Sequence, residues 1–449
     1  MSKSTREYHE EDSDSTQLVR WFRSAAPYIH LFKNKLFVIS VSKKNFSPDN
    51  LIRFIQDLSF LRAIGVQIIL VFDPKDLFDE QLKKRNHVLV WKGETPIIDD
   101  IATECLQVAI GMMRINLESL FSTKLPNTAM NFSDIKIISG NFVTAKPLGI
   151  HKGINFLKTG ELRKIDIIAI NRALELDAIV LIPPLGFSAT GEPFFLNNEQ
   201  LAKDAACIMK AHKLIFITDV LEKSSESFSE IQELTTETYK DRKLFIKEKF
   251  PRLSKLFELA NSACEDTIDR AHILPYEKDG EILLELFTRR GIGIMVSQSQ
   301  IKNIRPAAPD DISSILSLIE PFRKDGTLTN RDQNDIERNL ADYIVLDHDG
   351  QICGCACLNH YLEENLGEIS CLIVRSDYQQ KGEGTRMLKH LSEKAKNAGI
   401  ATIFALTTTA EHWFLENGFV KDKESILPAE KIQTIERNRN SLILTKNIE

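Results

Sequence analysis

Short apolar runs alternate with helical patterns along the first two thirds of the chain, and this alternation restricts the fold more than any other feature. The runs are KLFVISV (35–41), VQIILVFD (66–73), IKIISG (135–140), AIVLIPP (178–184) and KLIFITD (213–219). The helical stretches between several of them include 51–65, 161–176 and 199–211. Strands that alternate with helices favour a mainly parallel sheet covered on both faces. The sequence therefore predicts an α/β fold for this part.

A chain of 449 residues is too long for one compact core, so more than one domain is expected. Residues 15–34 have an amphipathic helical pattern that Pro27 is predicted to break, and the polar segment 221–243 is predicted to be a surface excursion. The pattern changes near residue 296, where a polar connector precedes a short strand and a helix. We therefore predict one domain at 1–296 and a second at 297–449.

Composition excludes several classes of function. A net charge of −6 and a pI near 6.0 provide no basic surface for nucleic acid. The seven cysteines lack the spacing of a metal site or of a disulfide framework, so no metal is predicted. No apolar run reaches the roughly 18 residues of a membrane span, and the acidic start has no signal-peptide core. A cytoplasmic protein with no membrane partner is expected.

A polar loop carrying Gly382 and Gly384 follows the strand-like run GEISCLIV (367–374) and precedes a helical pattern. The two glycines keep side chains away from the backbone, so several N–H groups can face one anion at the start of the helix. A phosphate-bearing ligand is predicted here, with a plain turn as the alternative.

The sequence QQKGEG (379–384), together with WFLENGF (413–419) further on, resembles the GNAT acyltransferases. That family has a Gln/Arg-x-x-Gly-x-Gly/Ala loop between its fourth strand and the next helix. The resemblance implies a mixed α/β GNAT domain that uses acetyl-CoA, with the loop amides on the pyrophosphate. The residues implied at the pyrophosphate are Gln379, Lys381, Gly382, Glu383, Gly384 and Thr385.

Acetyl transfer to an amine needs a base, a polarised thioester carbonyl and a donor for the departing thiolate. Glu368 starts the strand before the loop and could accept a proton through water, although a solvated edge residue is the alternative. Thr407 ends the next apolar run, where its hydroxyl could donate to the sulfur or could simply favour the strand. Backbone N–H groups of Cys371, Leu372 and Ile373 could polarise the carbonyl or pair with the pantetheine arm.

A carboxylate-bearing acceptor needs cationic partners. Arg439 and Ser441 lie one residue apart on one side of a predicted closing strand, where a guanidinium and a hydroxyl can bind a carboxylate together. A solvated basic face is the alternative. Lys431 falls where the family resemblance places a second basic residue.

The first domain resembles the amino acid kinases, in particular their acetylglutamate kinase branch. KTGELRKID (158–166) and KLIFITDV (213–220) carry the likeness. Such kinases place paired glycines after the first strand, whereas this chain has VISVSKKNFS (38–47). Phosphoryl transfer requires close backbone approach and charge stabilisation. An amino acid kinase-like αβα sandwich without kinase activity is therefore expected.

The two likenesses together resemble the bacterial glutamate N-acetyltransferases over nearly the whole chain. This implies L-glutamate as acceptor, the first step of arginine biosynthesis, a homo-oligomer and feedback inhibition by L-arginine. The residues implied at the arginine site are Tyr28, Lys213, His272, Glu285 and Gly291. Two alternatives remain: an arginine-binding regulatory module with lost catalysis, and a bifunctional synthase/kinase.

Overall fold

The computed structural model describes most of the chain and divides it into two compact units, Met1–Ser299 and Gln300–Glu449. The described residues are 19, 22–23, 25–42, 47–123, 135–219, 231–288, 291–298, 302–328, 331–348, 351–375, 379, 382–434 and 441–448. Lys381 and Arg439, both predicted site residues, lie outside them.

The first unit is built from short strands and eight labelled helices within its described residues. The strands are β1 (Leu36–Ser42), β2 (Gln67–Phe72), β3 (Val90–Lys92), β4 (Thr95–Ile97), β5 (Ile137–Ser139), β6 (Val143–Pro147), β7 (Ile150–His151), β8 (Ile154–Asn155), β9 (Gly160–Ile165), β10 (Ile179–Ile182), β11 (Leu185–Phe187), β12 (Pro193–Phe195), β13 (Lys213–Thr218), β14 (Glu233–Thr235), β15 (Arg270–Leu274) and β16 (Ile294–Ser297). The helices are α1 (Pro48–Ala63), α2 (Lys75–Lys84), α3 (Asp100–Ser122), α4 (Ile167–Glu175), α5 (Asn198–Met209), α6 (Thr236–Lys249), α7 (Ser254–Asp266) and α8 (Glu281–Phe287).

The main sheet of this unit has eight strands in the order β14-β16-β15-β13-β1-β2-β10-β5. Every neighbouring pair is parallel except β15 with β16. β13 is buried along its whole length, as expected for a central strand covered on both faces. The predicted parallel α/β sheet is confirmed.

Two local predictions in this unit are wrong. The stretch 161–176 is not one helix: β9 pairs antiparallel with β6, and α4 begins only after Asp166, whose side chain caps it. Of the predicted surface excursion at 221–243, residues 221–230 lie outside the described residues, and the rest contains β14 at the edge of the sheet and the start of α6. Residues 25–32 form a continuous helix through Pro27, and the packing of the buried Ala25 and Phe32 opposes the lost hydrogen bond and the clash that proline introduces.

The second unit has a seven-stranded sheet in the order β17-β18-β19-β20-β21-β23-β22. Its strands are β17 (Lys302–Pro306), β18 (Tyr343–His348), β19 (Gln351–Tyr361), β20 (Leu366–Val374), β21 (Thr402–Thr407), β22 (Val420–Lys421) and β23 (Leu442–Asn447). Its helices are α9 (Ile312–Lys324), α10 (Gln333–Arg338), α11 (Glu383–Asn397), α12 (Glu411–Glu416) and α13 (Ala429–Thr434). The predicted mixed α/β domain is confirmed.

The two central strands of this sheet separate part of the way along. β20 and β21 pair in parallel from Leu366↔Thr402 to Ile369↔Ala405, and within the described residues no pairing between them continues beyond that point. β20 runs on to Val374 and β21 to Thr407. The register of β19 against β20 shifts at the same level, and Cys371 has a left-handed backbone with φ 50. This bulge and the separation leave backbone groups of β20 facing a cleft.

Candidate active site

Glu368 lies on β20 just before the strands separate. It pairs across the sheet with Asn359 of β19 and Phe404 of β21, and it is 3% exposed. The exposed edge position considered as an alternative is therefore wrong for this residue. A buried carboxylate needs hydrogen-bonding or ionic partners to remain charged.

Three side chains supply those partners. The amide of Asn359 donates to Oε2 of Glu368 over 3.0 Å, and the Tyr361 hydroxyl donates to the same oxygen over 3.4 Å. Lys431 Nζ lies 2.6 Å from Oε1. Burial and the charge of Glu368 raise the pKa of Tyr361, which keeps it a hydrogen-bond donor. Lys431, which was predicted to bind the substrate, thus forms an ion pair with the candidate base.

Arg331 is a candidate site residue that the sequence reasoning missed. Its guanidinium donates to the hydroxyl of Tyr343 over 2.8 Å and to that of Ser370 over 3.1 Å. Ser370 also accepts from Asn359, so Arg331 joins the Glu368 network. Among the described residues no carboxylate lies within ion-pair distance of Arg331. A partly buried guanidinium with hydroxyl partners can still bind an anionic ligand bidentately.

Thr407 stands at the end of β21, where the strands have separated. Its hydroxyl oxygen accepts the backbone N–H of Ala410 over 2.9 Å and that of Thr409 over 3.3 Å. A hydroxyl that accepts in this way still has its own hydrogen to donate. Ser441 precedes Leu442, which pairs with Thr407 across the sheet. The two predicted residues are thus brought to the same end of neighbouring strands.

The predicted pyrophosphate loop leads into α11. Gly382 is its N-cap with φ 77, and a Cβ there would meet no atom within 4 Å. A Cβ on Gly384 would lie 3.2 Å from Trp413, a tight contact that a larger residue would relieve only by shifting the ring. The first-turn N–H groups of α11, which include that of the exposed Thr385, have no intrahelical acceptor and suit an anion.

Two side chains of this loop are already engaged. The Glu383 carboxylate pairs with Arg386 over 2.7 Å, so only its backbone N–H suits the predicted cofactor role. The Gln379 amide donates to the carbonyl of Val374 over 2.8 Å, which ties the loop to the end of β20. A cavity of about 650 Å³ lies beside the loop and is lined by Ile373, Val374 and Gln379 among others.

Cysteine chemistry does not fit this site. Burial raises the pKa of the Cys371 thiol, and it raises that of Cys357 to about 12. The thiolate is the nucleophilic form of cysteine, so a covalent acyl-cysteine is disfavoured. The described residues contain no group of three histidine, cysteine or acidic side chains that could hold a metal ion.

The predicted effector residues come together in the first unit. Lys213 Nζ lies 3.2 Å from Nε2 of His272, whose Nδ1 lies 2.7 Å from Oε1 of Glu285. Lys213 also stands 5.2 Å over the ring of Phe32, whose centroid is 6.1 Å from that of Tyr28. The sequence reasoning had not selected Phe32, since one apolar residue in a helix carries no functional signal.

Charge alternates along this chain of side chains. Burial and the neighbouring Lys213 lower the pKa of His272 to about 4. A neutral His272 accepts a hydrogen bond from the Lys213 ammonium at Nε2 and donates one from Nδ1 to Glu285, so it bridges the ammonium and the carboxylate. Glu285 Oε2 accepts the N–H groups of Ile292 and Gly293 over 2.6 and 2.9 Å. A cluster that carries both an ammonium and a carboxylate has the charges that bind an amino acid ligand.

The carboxyl end of β1 in the same unit differs from a phosphate-binding turn. Asn198, which is 2% exposed, donates from Nδ2 to the hydroxyls of Ser40 and Ser42, each over 3.0 Å. Burial raises the pKa of the nearby Asp73 to about 7. Side chains thus bridge the sheet edge where the kinase resemblance would place glycine backbone.

Known proteins match both units. The model of the Acetyltransferase (GNAT) family matches residues 310–419, and the model of the Amino acid kinase family matches residues 36–248. The fold and the site define a GNAT acetyltransferase joined to an amino acid kinase domain, so the predicted order is confirmed.

Full-length relatives place the chain more closely. It is 39% identical to the amino-acid acetyltransferase of Ralstonia nicotianae, over 97% of this chain and 96% of that one. It is 34% identical to the Pasteurella multocida protein of the same description, over 97% and 99%. The chain belongs to the amino-acid acetyltransferase family and is an N-acetyltransferase that uses acetyl-CoA.

A solved structure is similar over both units. N-acetylglutamate synthase from Neisseria gonorrhoeae, complexed with coenzyme A and L-arginine, matches with a TM-score of 0.85 and 29% identity, covering 96% of this chain and 99% of that one. The same enzyme complexed with coenzyme A and N-acetyl-glutamate matches with a TM-score of 0.59 and 30% identity, covering the same shares. In the described parts of this chain, no helix is long and apolar enough to cross a membrane.

Proposed function

We propose that the chain transfers the acetyl group of acetyl-CoA to the α-amine of L-glutamate, as the first step of arginine biosynthesis, and that L-arginine inhibits it. The observation that carries the proposal is the buried Glu368, which stands where β20 and β21 separate and is surrounded by hydrogen-bond donors. The N-acetyl-glutamate and coenzyme A bound by the similar synthase support the choice of acceptor.

Glu368 acts as the base in this proposal. It takes a proton from the α-ammonium of glutamate, through water or directly, and the free amine attacks the thioester carbonyl. The C–N bond forms and the C–S bond breaks without an enzyme-bound acyl group, and the proton that the nitrogen then loses replaces the one that the leaving sulfur receives. Backbone N–H groups of Cys371, Leu372 and Ile373 polarise the carbonyl or hold the pantetheine arm, and Thr407 donates to the departing sulfur.

Cationic side chains hold the acceptor. Arg331, with its hydroxyl partners, is suited to one carboxylate of glutamate, and Lys431 is close enough to Glu368 to reach the other. Ser441 and, by resemblance, Arg439 are proposed to complete this binding. The loop amides of Gly382 to Thr385 hold the pyrophosphate, with Gln379 fixing the loop and Lys381 adding charge.

The first unit is proposed to be a regulatory domain without kinase activity. The bridge from Asn198 to Ser40 and Ser42 supports the loss of a phosphate-binding turn. The side chains of Lys213, His272 and Glu285 support an arginine site, since Glu285 can face a guanidinium and Lys213 an α-carboxylate. Tyr28 closes this site from the amino-terminal helix, and Gly291 lets the backbone approach.

Steady-state thiol release from acetyl-CoA tests the proposal. We expect release to require L-glutamate, to fall when L-arginine is added, and to be lost in Glu368→Gln at neutral pH. Acetyl-CoA consumption that is the same with and without glutamate would contradict it, and ATP turnover on acetylglutamate would favour the bifunctional alternative.

A further inference from the structure

The ion pair between Lys431 and Glu368 conflicts with a resting role for Glu368 as base. Lys431 Nζ lies 2.6 Å from Oε1, and the two side chains are 18% and 4% exposed. Oε2 is already the acceptor for Asn359 and Tyr361. A carboxylate in this arrangement offers no favourable place for a second ammonium, because the α-ammonium of an acceptor would be repelled by Lys431 at short range.

The lysine can leave without a rearrangement of the backbone that carries it. Leu427, which is 5% exposed and lies just before α13, packs against Leu366 and Phe404, and Ile432 of α13 packs on the same cluster. Leu366 and Phe404 belong to the two strands that carry and flank Glu368. The start of α13 is thus anchored beside the base, while the flexible four-carbon stem of Lys431 can turn.

We propose that a carboxylate of the acceptor draws Lys431 away from Glu368 and so frees the base only when a suitable acceptor is bound. The inference rests on the proposed function. Exchange of one carboxylate partner for another preserves a charge-assisted pair for the lysine, so its cost is small. Oε1 of Glu368 then takes the proton of the α-ammonium, and the neutral amine can attack.

Lys431 is therefore a specificity-determining residue that acts partly through Glu368. An acceptor that carries an amide in place of the relevant carboxylate leaves Lys431 on Glu368 and should be turned over slowly even when it is saturating. A lysine that only bound substrate would affect KM for glutamate and would leave turnover of that amide unchanged. The two roles thus differ in one measurable quantity, kcat for the amide acceptor.

The test uses the full chain, acetyl-CoA, and three acceptors: L-glutamate, L-glutamine and L-isoglutamine. We expect Lys431→Met to raise KM for glutamate and to raise kcat for one of the two amides by about tenfold or more, since general-base catalysis contributes on the order of a hundredfold. Lys431→Gln is a second variant that keeps a hydrogen bond to Glu368 but removes the charge. It guards against misfolding of the first variant.

Lys421→Met is the matched control. Lys421 forms an ion pair of the same length, 2.6 Å, with Glu411, but its side chain is 58% exposed. This variant should leave the acceptor preference as it is. If wild type shows no glutamate-dependent thiol release, the proposed function fails. If wild type is active and neither Lys431 variant gains turnover on either amide, only this inference is overturned.

Discussion

Gly291 and Glu285 are in such close contact that a side chain at position 291 would displace the Glu285 carboxylate. A Cβ on Gly291 would lie 2.5 Å from Oε2 of Glu285, and its φ of +54 is a conformation that glycine adopts at little cost. The glycine therefore allows Glu285 to sit between His272 and the N–H groups of Ile292 and Gly293. A small residue at this point is a requirement of the proposed arginine site.

Substitution of that glycine should uncouple the enzyme from arginine. Gly291→Ala would push the Glu285 carboxylate from its position, so we expect inhibition by L-arginine to be lost or to need at least about tenfold more arginine, a change of roughly 1.4 kcal/mol. Gly280→Ala is the control, because φ is +72 there and a Cβ meets no atom within 4 Å. Unchanged arginine inhibition in Gly291→Ala would exclude Glu285 from the effector site.

Asp57 should make the stability of the first unit depend on pH. Burial raises its pKa from 3.8 to about 7, the hydrogen bond from Tyr276 opposes this, and Asp279 adds to it. An acid whose folded pKa is raised contributes stability that is complete below the unfolded pKa and is lost as pH rises through the folded value. The stabilising form is therefore the protonated one.

Asp57→Asn keeps a neutral side chain of the same shape opposite Tyr276. We expect its melting temperature to exceed that of wild type by more at pH 8 than at pH 5, with the difference in stability growing by up to about 3 kcal/mol. Asp241→Asn, which removes an exposed carboxylate of α6, is the control and should change little. If the difference in stability between Asp57→Asn and wild type does not change with pH, the raised pKa of Asp57 is contradicted.

Arg331 should hold the acceptor and not the acyl donor. For Arg331→Ala we expect KM for glutamate to rise by about tenfold or more, which is the loss of a charged hydrogen bond of roughly 1.5 kcal/mol, with KM for acetyl-CoA unchanged. Arg338→Ala, an exposed arginine at the end of α10, is the control. If KM for acetyl-CoA rises more than KM for glutamate, Arg331 binds the acyl donor and the assignment to the acceptor is wrong.

Gly382 should matter for coenzyme A. Valine at this position strains a backbone with φ +77 and places a branched side chain at the first-turn amides, so we expect weaker binding of coenzyme A by calorimetry. Gly326→Val imposes the same kind of strain, with φ +79 and no atom within 4 Å of a Cβ. Equal affinities in both variants would remove the pyrophosphate role from the loop.

The order of strands and helices along the chain could be predicted from the sequence, because the signals for each element are local. β13 has an apolar centre and is buried throughout, and the glycine pair at Gly382 and Gly384 marks the start of α11 through backbone requirements alone. The stretch 161–176 misled because Leu162 and Ile165 also fit helical spacing, and only pairing with β6 makes it a strand. The spacing of apolar residues alone could not distinguish a strand from a helix here, because the pairing partner is not visible in the sequence.

The active site was only partly accessible for a related reason. Glu368 and Thr407 follow from their places at the ends of strands, but Asn359, Tyr361 and Arg331 carry no motif. Asn359 reaches Glu368 because the register of β19 and β20 makes them opposite neighbours. Arg331 precedes the Asp332 cap of α10, where a sequence shows only a polar loop. Contacts that depend on strand register or on the course of a loop cannot be predicted from the spacing of residues in the sequence.

The pH dependence of acetyl transfer by Glu368→Gln tests the central claim most directly. Thiol release from acetyl-CoA would be measured with saturating L-glutamate from neutral to strongly alkaline pH, for wild type and variant side by side. If Glu368 removes the proton of the α-ammonium, the rate of thiol release by the variant should be about a hundredfold or more below that of wild type at neutral pH. The rate should recover at high pH, because the free amine is then available without a base. A loss of the same size at every pH would contradict Glu368 as the base.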